Sequence, residues 1–564
     1  MISCSGWRVS LVLLWICASP LLSQQDELES LQRRIRKGVI QARQRTVLLQ
    51  IPADKPGEGV QIGTGAVVAA DGLILTCAHV LNPKRPIEVV TPNGHVFQGV
   101  VLGHHPAADL ALIRIPATDL TPFRVGGATA RPDRWALAVG HPIGPTPDLL
   151  PSVSLGRIRA IGRDLPVHKS RLFRNMIWSD VPAGEGFSGG PLTSLDGKYL
   201  LGINAAADTD HPRTFSIPIS RFLKLLPTLI RGQIYPGRLA HGSNVQPPKK
   251  DRLTFLRAPL DSLRKRATPW SVEVRSETDL ICHGTVLPHE KVIATLLRSL
   301  PAPPQTVRIR SGNGQEFQTR VIYKDPHLGL AFLRIPERSW PGYGTPPPSR
   351  TPECGDLLLS LGPRNTPLSV GILSAPPRSV LAPFLRRVLP EVPSSRSSFL
   401  PTSTAPLLQH DSPLSQSDLG GPLVSSSGHL VGINLVAPLR GVSLSVPIHL
   451  VRERLNRLQI GQRLTVPKPG YLGLQLAPLP TEARQTARIP GGVLVTQVLP
   501  GFSGHRAGIL RGDIILRIGT QPTSLYEQLK GWLMCHPGGT ETTIHILRKQ
   551  KRIHFPIVLE DPPQ

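Results

Sequence analysis

Gly184-Glu185-Gly186-Phe187-Ser188-Gly189-Gly190-Pro191 is the stretch around which the 564-residue chain is read. A serine set among glycines can stand exposed on a tight turn, because residues without a Cβ tolerate the positive φ that such a turn demands. The same glycines let backbone N–H groups converge beside the hydroxyl, where negative charge develops if that hydroxyl attacks a carbonyl. Alone the run is weak, since Gly/Ser turns are common and most do no chemistry. Two upstream stretches change its weight: Thr76-Cys77-Ala78-His79-Val80, at the end of an apolar strand pattern, and Asp109-Leu110-Ala111-Leu112. A histidine to take the serine proton and an aspartate to orient that histidine make Ser188 a candidate nucleophile, in the chain order His79, Asp109, Ser188.

The surrounding chain sets the context. Its length suggests three or four domains, each able to bury a core. With 52 Gly and 60 Pro, many short apolar runs are broken by turn residues, which favours β-rich domains with few long helices. The net charge of +26 is spread over arginines along the whole chain. No aromatic-interleaved basic patch stands out, so a solvated basic surface outweighs nucleic-acid binding. Electrostatic contact with an anionic envelope surface stays compatible with that charge. Arg8 followed by the apolar run Val9 to Ala18 and by Leu22-Ser23-Gln24 has the layout of a secretory signal peptide over residues 1–23, cleaved after Ala18 or Ser23. That layout predicts a secreted or periplasmic protein, with an uncleaved membrane anchor as the lesser reading. Cys4 and Cys17 fall within it. Cys77, Cys282, Cys354 and Cys535 stand apart with no C-x-x-C spacing and read as buried single thiols, with no metal site or cofactor called for.

Residues 24–45 predict a helix, acidic at its start and basic at its end, with Leu28, Leu31 and Ile35 on one face. It reads as a solvated lead-in packing on the first domain. From Thr46 strand patterns take over and continue past Ser188 through Leu200-Leu201-Gly202-Ile203-Asn204 and Thr214-Phe215-Ser216-Ile217-Pro218, and a short helix closes the unit near residue 226.

The blocks around His79, Asp109 and Ser188 resemble those of trypsin-like serine proteases. Val139-Gly140-His141-Pro142-Ile143-Gly144, Ser154-Leu155-Gly156-Arg157-Ile158 and Gly202-Ile203-Asn204 narrow the resemblance to the HtrA/Deg branch. It covers roughly residues 40–230 and implies two perpendicular six-stranded β-barrels with the active site between them. It further implies that Ser188 attacks a peptide carbonyl, His79 transfers the proton, Asp109 orients the imidazole, and the N–H groups of Gly186 and Ser188 form the oxyanion hole. The chain departs from the family pattern where Phe187 stands before the nucleophile and Gly184-Glu185 precede it.

Beyond a linker at 232–255 the first domain recurs. Gly284-Thr285-Val286-Leu287 parallels Gly65-Ala66-Val67-Val68, Leu330-Ala331-Phe332-Leu333 parallels Leu110-Ala111-Leu112-Ile113, and Gly420-Gly421-Pro422-Leu423 parallels Gly189-Gly190-Pro191-Leu192. In this copy Arg298 stands for His79, Gly329 for Asp109 and Leu419 for Ser188, so no nucleophile, base or acid remains. The Pro/Ser-rich stretch at about 374–415 reads as a flexible loop. The last segment resembles a PDZ domain: Tyr471-Leu472-Gly473-Leu474 is similar to the carboxylate-binding loop, and residues 523–533 to the helix beside the peptide groove.

The organisation expected is therefore mainly β: a trypsin-like domain at 46–231, a degenerate trypsin-like domain at 256–460 and a PDZ domain at 466–562. The resemblance implies an HtrA-like serine endopeptidase acting on unfolded or damaged envelope proteins. C-terminal peptides would bind the PDZ domain, and the family's habit is a homotrimer. The alternative is a non-catalytic, chaperone-like binding protein whose first domain is also silent.

Overall fold

A computed structural model describes residues 26–563 except 53–59, 145, 147, 168–170, 209–212, 231–238, 240–253, 277–278, 301–305, 313, 337–350, 363–368, 380–404, 416–417, 463 and 465–466. The signal peptide, nearly all of the 232–255 linker and the middle of the Pro/Ser-rich stretch lie outside the described residues. Among the described residues no helix is long and apolar enough to cross a membrane.

Strands Thr46–Pro52, Val60–Ala69, Leu73–Thr76, Leu110–Arg114, Val96–His105 and Ile87–Val90 pair in that order into a closed six-stranded barrel. The second barrel runs Pro191–Ser194, Trp135–Gly140, Ser152–Val167, Arg171–Ser179, Thr214–Pro218 and Tyr199–Ala207, closed by pairing of its first and last strands, with Arg124–Val125 added alongside. Alternate residues point inward. Leu73, Ile74 and Leu75 are fully buried, in one core cluster with Phe123, Phe215 and Phe222, so this short strand is covered on both faces.

The same plan repeats. Ser271–Arg275, Leu280–Leu287, Val292–Leu296, Leu330–Arg334, Glu316–Asp325 and Thr306–Ser311 close a third barrel. Leu357–Ser360, Ser369–Ser379, Pro406–His410, Val442–Pro447, Leu430–Leu439 and Pro422–Ser425 close a fourth. The loop expected at 374–415 is thus corrected at both ends, since residues 369–379 and 406–410 are strand. Pro376 and Pro377 hid the first of these. They sit where the pairing register shifts between Ala375 and Arg378, a bulge in which a missing N–H leaves no ladder bond unmade. A helix not expected from the sequence, Thr254–Ala267, leads into the third barrel.

Two further expectations are revised. Residues 26–43 form the lead-in helix, but it is wedged between the copies. Leu28, Leu31, Ile35, Val39 and Ala42 pack on Leu137, Val139, Val153, Leu155 and Leu195 of the first copy and on Leu357 and Ile372 of the second. Gln32 Nε2 donates to Gly355 O at 2.6 Å and its Oε1 accepts from Leu357 N at 2.6 Å, while Arg36 pairs with Asp356 and Glu353. Of the cysteines expected to be buried, Cys77 and Cys282 are, Cys354 is half-buried and Cys535 is exposed.

The copies also meet directly along strands Ser152–Val167 and Ser369–Ser379. The buried Asp411 carboxylate joins them, accepting from Leu155 N at 2.6 Å and from Ile372 N at 2.5 Å. Arg43 bonds Pro151 O on one side and Ser374 O on the other, and Arg378 reaches across to Asp148 at 3.2 Å. Buried groups of this kind are costly when orphaned. Asp411→Ala strips two N–H groups of their acceptor and should cost on the order of 1–3 kcal/mol. The check is a lower chemical-denaturation midpoint than that of the unaltered chain; an unmoved midpoint contradicts it.

Candidate active site

The first copy's site starts at the end of strand Leu73–Thr76. Cys77 is extended, with φ −80° and ψ 143°, and one 3₁₀ turn, Ala78–Val80, then carries His79 outward. The turn is short because Val80 and Ala78 are buried on its inner side while His79 keeps about a third of its side chain exposed. Asp109 is fully buried and holds His79 twice. Its Oδ2 takes the imidazole Nδ1–H at 2.8 Å, and its Oδ1 takes the His79 backbone N–H at 3.0 Å. A carboxylate can only accept, so the proton sits on Nδ1 and the Nε2 lone pair stays available as a base. To aim this fork, Asp109 takes φ +56°, a left-handed conformation that aspartate tolerates better than most residues.

On the second barrel, Ser188 follows Gly186, whose φ is +79°. The Gly186 carbonyl is engaged on the side of the first barrel: it accepts from Thr64 Oγ1 at 2.9 Å and from His141 N at 3.0 Å. Thr64 has one hydroxyl proton and spends it there, so its short contact with His141 Nδ1, 3.1 Å, must be donated by the histidine. Burial, with the Arg378 charge adding to it, pushes the His141 pKa down to about 3, so the ring is neutral and rigidly placed. The Gly186 N–H makes no hydrogen bond within the protein among the described residues, and neither does that of Ser188. Two free donors therefore flank the hydroxyl. No hydrogen bond joins Ser188 Oγ to His79 among the described residues.

Phe187, the departure from the family pattern, is 1% exposed and packs with Ala136, Ala138, Ile158, Ile177, Val181 and Leu192. An apolar anchor thus fixes the residue before the nucleophile. The partners Thr64 and His141 escape sequence reasoning, because nothing local marks a threonine in a strand or a histidine in a loop as holding a carbonyl more than 40 residues away.

Cys77 Sγ, His79 and Asp109 place donor atoms within 4.8 Å of one another. That is a ligand set of the right type, but the thiol donates to Asn204 O at 3.3 Å and the carboxylate is committed to His79. Beside Ser188 opens a cavity of about 380 Å³ between residues 183–188 and the end of strand Tyr199–Ala207.

The second copy has the same frame. Thr76 Oγ1 donates to Thr64 O and Thr295 Oγ1 to His283 O, both at 2.7 Å. Thr64 N donates to Ser188 O, and His283 N to Leu419 O. Asp109 and Gly329 precede equivalent strands, and Gly329 has φ +70°. The side chains differ: Leu419 is buried, Arg298 donates to Leu435 O at 3.0 Å, and His283 fills the place of Thr64.

The C-terminal sheet orders Leu474–Pro478, Val493–Val498, Ile514–Ile518, Glu541–Arg548 and Lys551–Val558. Strand Leu474–Pro478 lies at its edge beside helix Tyr526–Cys535. Of the loop residues, Tyr471 gives its N–H to Glu560 O at 2.8 Å and packs its ring edge-on against Phe502, so it offers no free backbone donor. The N–H groups of Leu472 and Gly473 make no bond within the protein among the described residues. The unit rests on the first barrel through Arg484 and Glu88, and through Val96 N to Pro490 O at 2.8 Å.

A family described as a trypsin-like peptidase domain matches residues 63–203 and 282–433, together just over half of the chain. A probable periplasmic serine endoprotease, DegP-like, of Rickettsia prowazekii is 31% identical over 192 residues, which are 33% of this chain and 37% of that protein. The periplasmic serine endoprotease DegP of Escherichia coli K12 is 24% identical over 266 residues, 46% of this chain and 52% of that one. Among solved structures, an HtrA-type protease AlgW with a tripeptide aligns at 20% identity and a TM-score of 0.39, over 54% of this chain and 97% of that one. The chain spans between about a third and a half of the length of these curated relatives.

His141 provides a check on the site's electrostatics. A histidine depressed from 6.5 to about 3 gives stability that is complete above pH 6.5 and is lost progressively as pH falls toward 3, because only the unfolded chain takes up the proton. His141→Gln should flatten the fall in melting temperature between pH 6.5 and 4. An identical slope in both proteins contradicts the assignment.

Proposed function

The chain belongs to the trypsin-like peptidase family, and on that premise we propose that its first copy is an HtrA-type serine endopeptidase. The observation that carries this is the Asp109 fork on His79, set beside a serine flanked by two free N–H donors. Ser188 Oγ attacks the peptide carbonyl as His79 Nε2 takes its proton. The carbonyl oxygen becomes an oxyanion between Gly186 N–H and Ser188 N–H, and Asp109 stabilises the imidazolium. His79 then gives the proton to the leaving amine, and water repeats the cycle on the acyl-enzyme. Losing one such oxyanion donor costs about 2.7–4 kcal/mol of barrier.

The second copy is proposed as a pseudoprotease, since it keeps the frame and carries Arg298, Gly329 and Leu419 at the working positions. The C-terminal unit is proposed as a PDZ domain. A peptide's C-terminal carboxylate would meet the N–H groups of Leu472 and Gly473, and its backbone would add to the edge strand Leu474–Pro478. The relatives' names point to a periplasmic place of action, and unfolded or damaged envelope proteins are proposed as substrates, presented through this groove. A homo-oligomer is proposed alongside.

Labelling by an active-site fluorophosphonate tests the reading: the full chain should label and cleave an unfolded substrate, and Ser188→Ala should do neither. Asp109→Asn should lower kcat by roughly 10⁴-fold, because the ring loses its tautomer, and Arg298→His should add no activity. One observation favours the silent-binder alternative, namely the unmade bond between Ser188 and His79. Catalytic hydrogen bonds are often long without substrate. Failure to label even with a PDZ-binding peptide present would decide for the binder.

A further inference from the structure

The cavity beside Ser188 is not built by the first copy alone. Its lining includes Leu439 and Arg440, which belong to the hairpin joining strands Leu430–Leu439 and Val442–Pro447 of the degenerate copy. The fit is close. Gly441 has φ +78°, and a Cβ there would stand 2.1 Å from Pro182 O; a Cβ on Gly184 would stand 3.1 Å from Arg440 O. The hairpin tip therefore needs glycine where the two touch, and Gly184, one of the departures from the family pattern, lies in tight contact with it. Arg440 Nη1 donates to Asp208 O at 2.9 Å and to Arg213 O at 2.8 Å. Those carbonyls stand at the two ends of one loop, and Asp208 N also bonds Arg213 O at 2.9 Å.

Resting on the reading of Ser188 as nucleophile, we propose that Arg440 of the degenerate copy is a specificity-determining residue of the active copy. It walls the pocket for the substrate side chain that precedes the cleaved bond. A substrate carbonyl placed at Ser188 drops that side chain between residues 183–187 and the Asn204–Asp208 edge, onto Arg440. The other charged groups lining the pocket are the carboxylates of Glu185 and Asp208, and the Asp208 and Asp180 charges both act on Arg440. With Arg440 in place a cationic side chain meets like charge, and the small Ala205, Ala206 and Ala207 favour an uncharged one. Without it the lining keeps carboxylates alone, and the pocket turns toward lysine and arginine.

The experiment uses the full chain and peptides identical except for Leu, Lys or Glu before the scissile bond. Arg440→Ala and Arg440→Gln should each raise the Lys-to-Leu ratio of kcat/KM by roughly tenfold at low salt, the second keeping an amide donor for the loop carbonyls. Arg440→Lys, which keeps the charge, should hold the original ranking. Fluorophosphonate labelling of Ser188, run in parallel, should still occur in all three, showing that the catalytic groups are in place. A ratio unmoved in both Ala and Gln variants, with labelling normal, overturns the proposal and leaves the peptidase reading standing. A parent chain that never labels overturns both.

Discussion

The first copy depends on one buried carboxylate. Asp109 sits in a left-handed turn, sealed from water, and its two oxygens bind the ring and the backbone of His79. A single hydrogen bond would leave the imidazole free to swing. The fork fixes its position and its tautomer together, on a 3₁₀ turn too short to do so alone. The degenerate copy keeps the turn and loses the carboxylate: Gly329 has the same positive φ with nothing to aim. Backbone geometry alone therefore does not make the site.

The nucleophile loop is fixed by different means. Its carbonyl at Gly186 is held by Thr64 and a neutral, buried His141, and its side chain at Phe187 is held by apolar packing. The Phe187 N–H, in the same peptide group as that carbonyl, bonds Gly184 O at 3.2 Å, so both ends of this peptide are held while the N–H groups of Gly186 and Ser188 stay free among the described residues. This is a polar arrangement whose members each have a partner, within a shell that excludes water, and such arrangements hold one geometry most firmly.

Much of the architecture was legible in the sequence. Short apolar runs punctuated by glycine and proline encode barrels, and a recurrence displaced by about 220 residues encodes the second pair. Ser188, His79 and Asp109, the proposed nucleophile, base and acid, stood out because each lies in a distinctive local run. What stayed hidden depends on distant partners. Gln32 and Val39 look like ordinary helix residues until Gly355 and Ile372 lie against them. Asp411 and Arg440 look like ordinary loop and turn residues, since the groups they serve lie wholly or partly in the other copy. Pro376 and Pro377 argued against a strand because a bulge that excuses them leaves no local mark.

The wedged helix has a consequence for how the chain is made. Its residues leave the ribosome early, yet Gln32 bonds a backbone carbonyl 323 positions later in the chain. At about 5–20 residues per second, synthesis of that interval takes on the order of 15–65 s. Throughout it, one side of the helix can settle on the first copy while the other waits without its partner. The nascent chain thus carries a sticky, half-covered stripe until the fourth barrel is made, the interval in which a chaperone has most to hold.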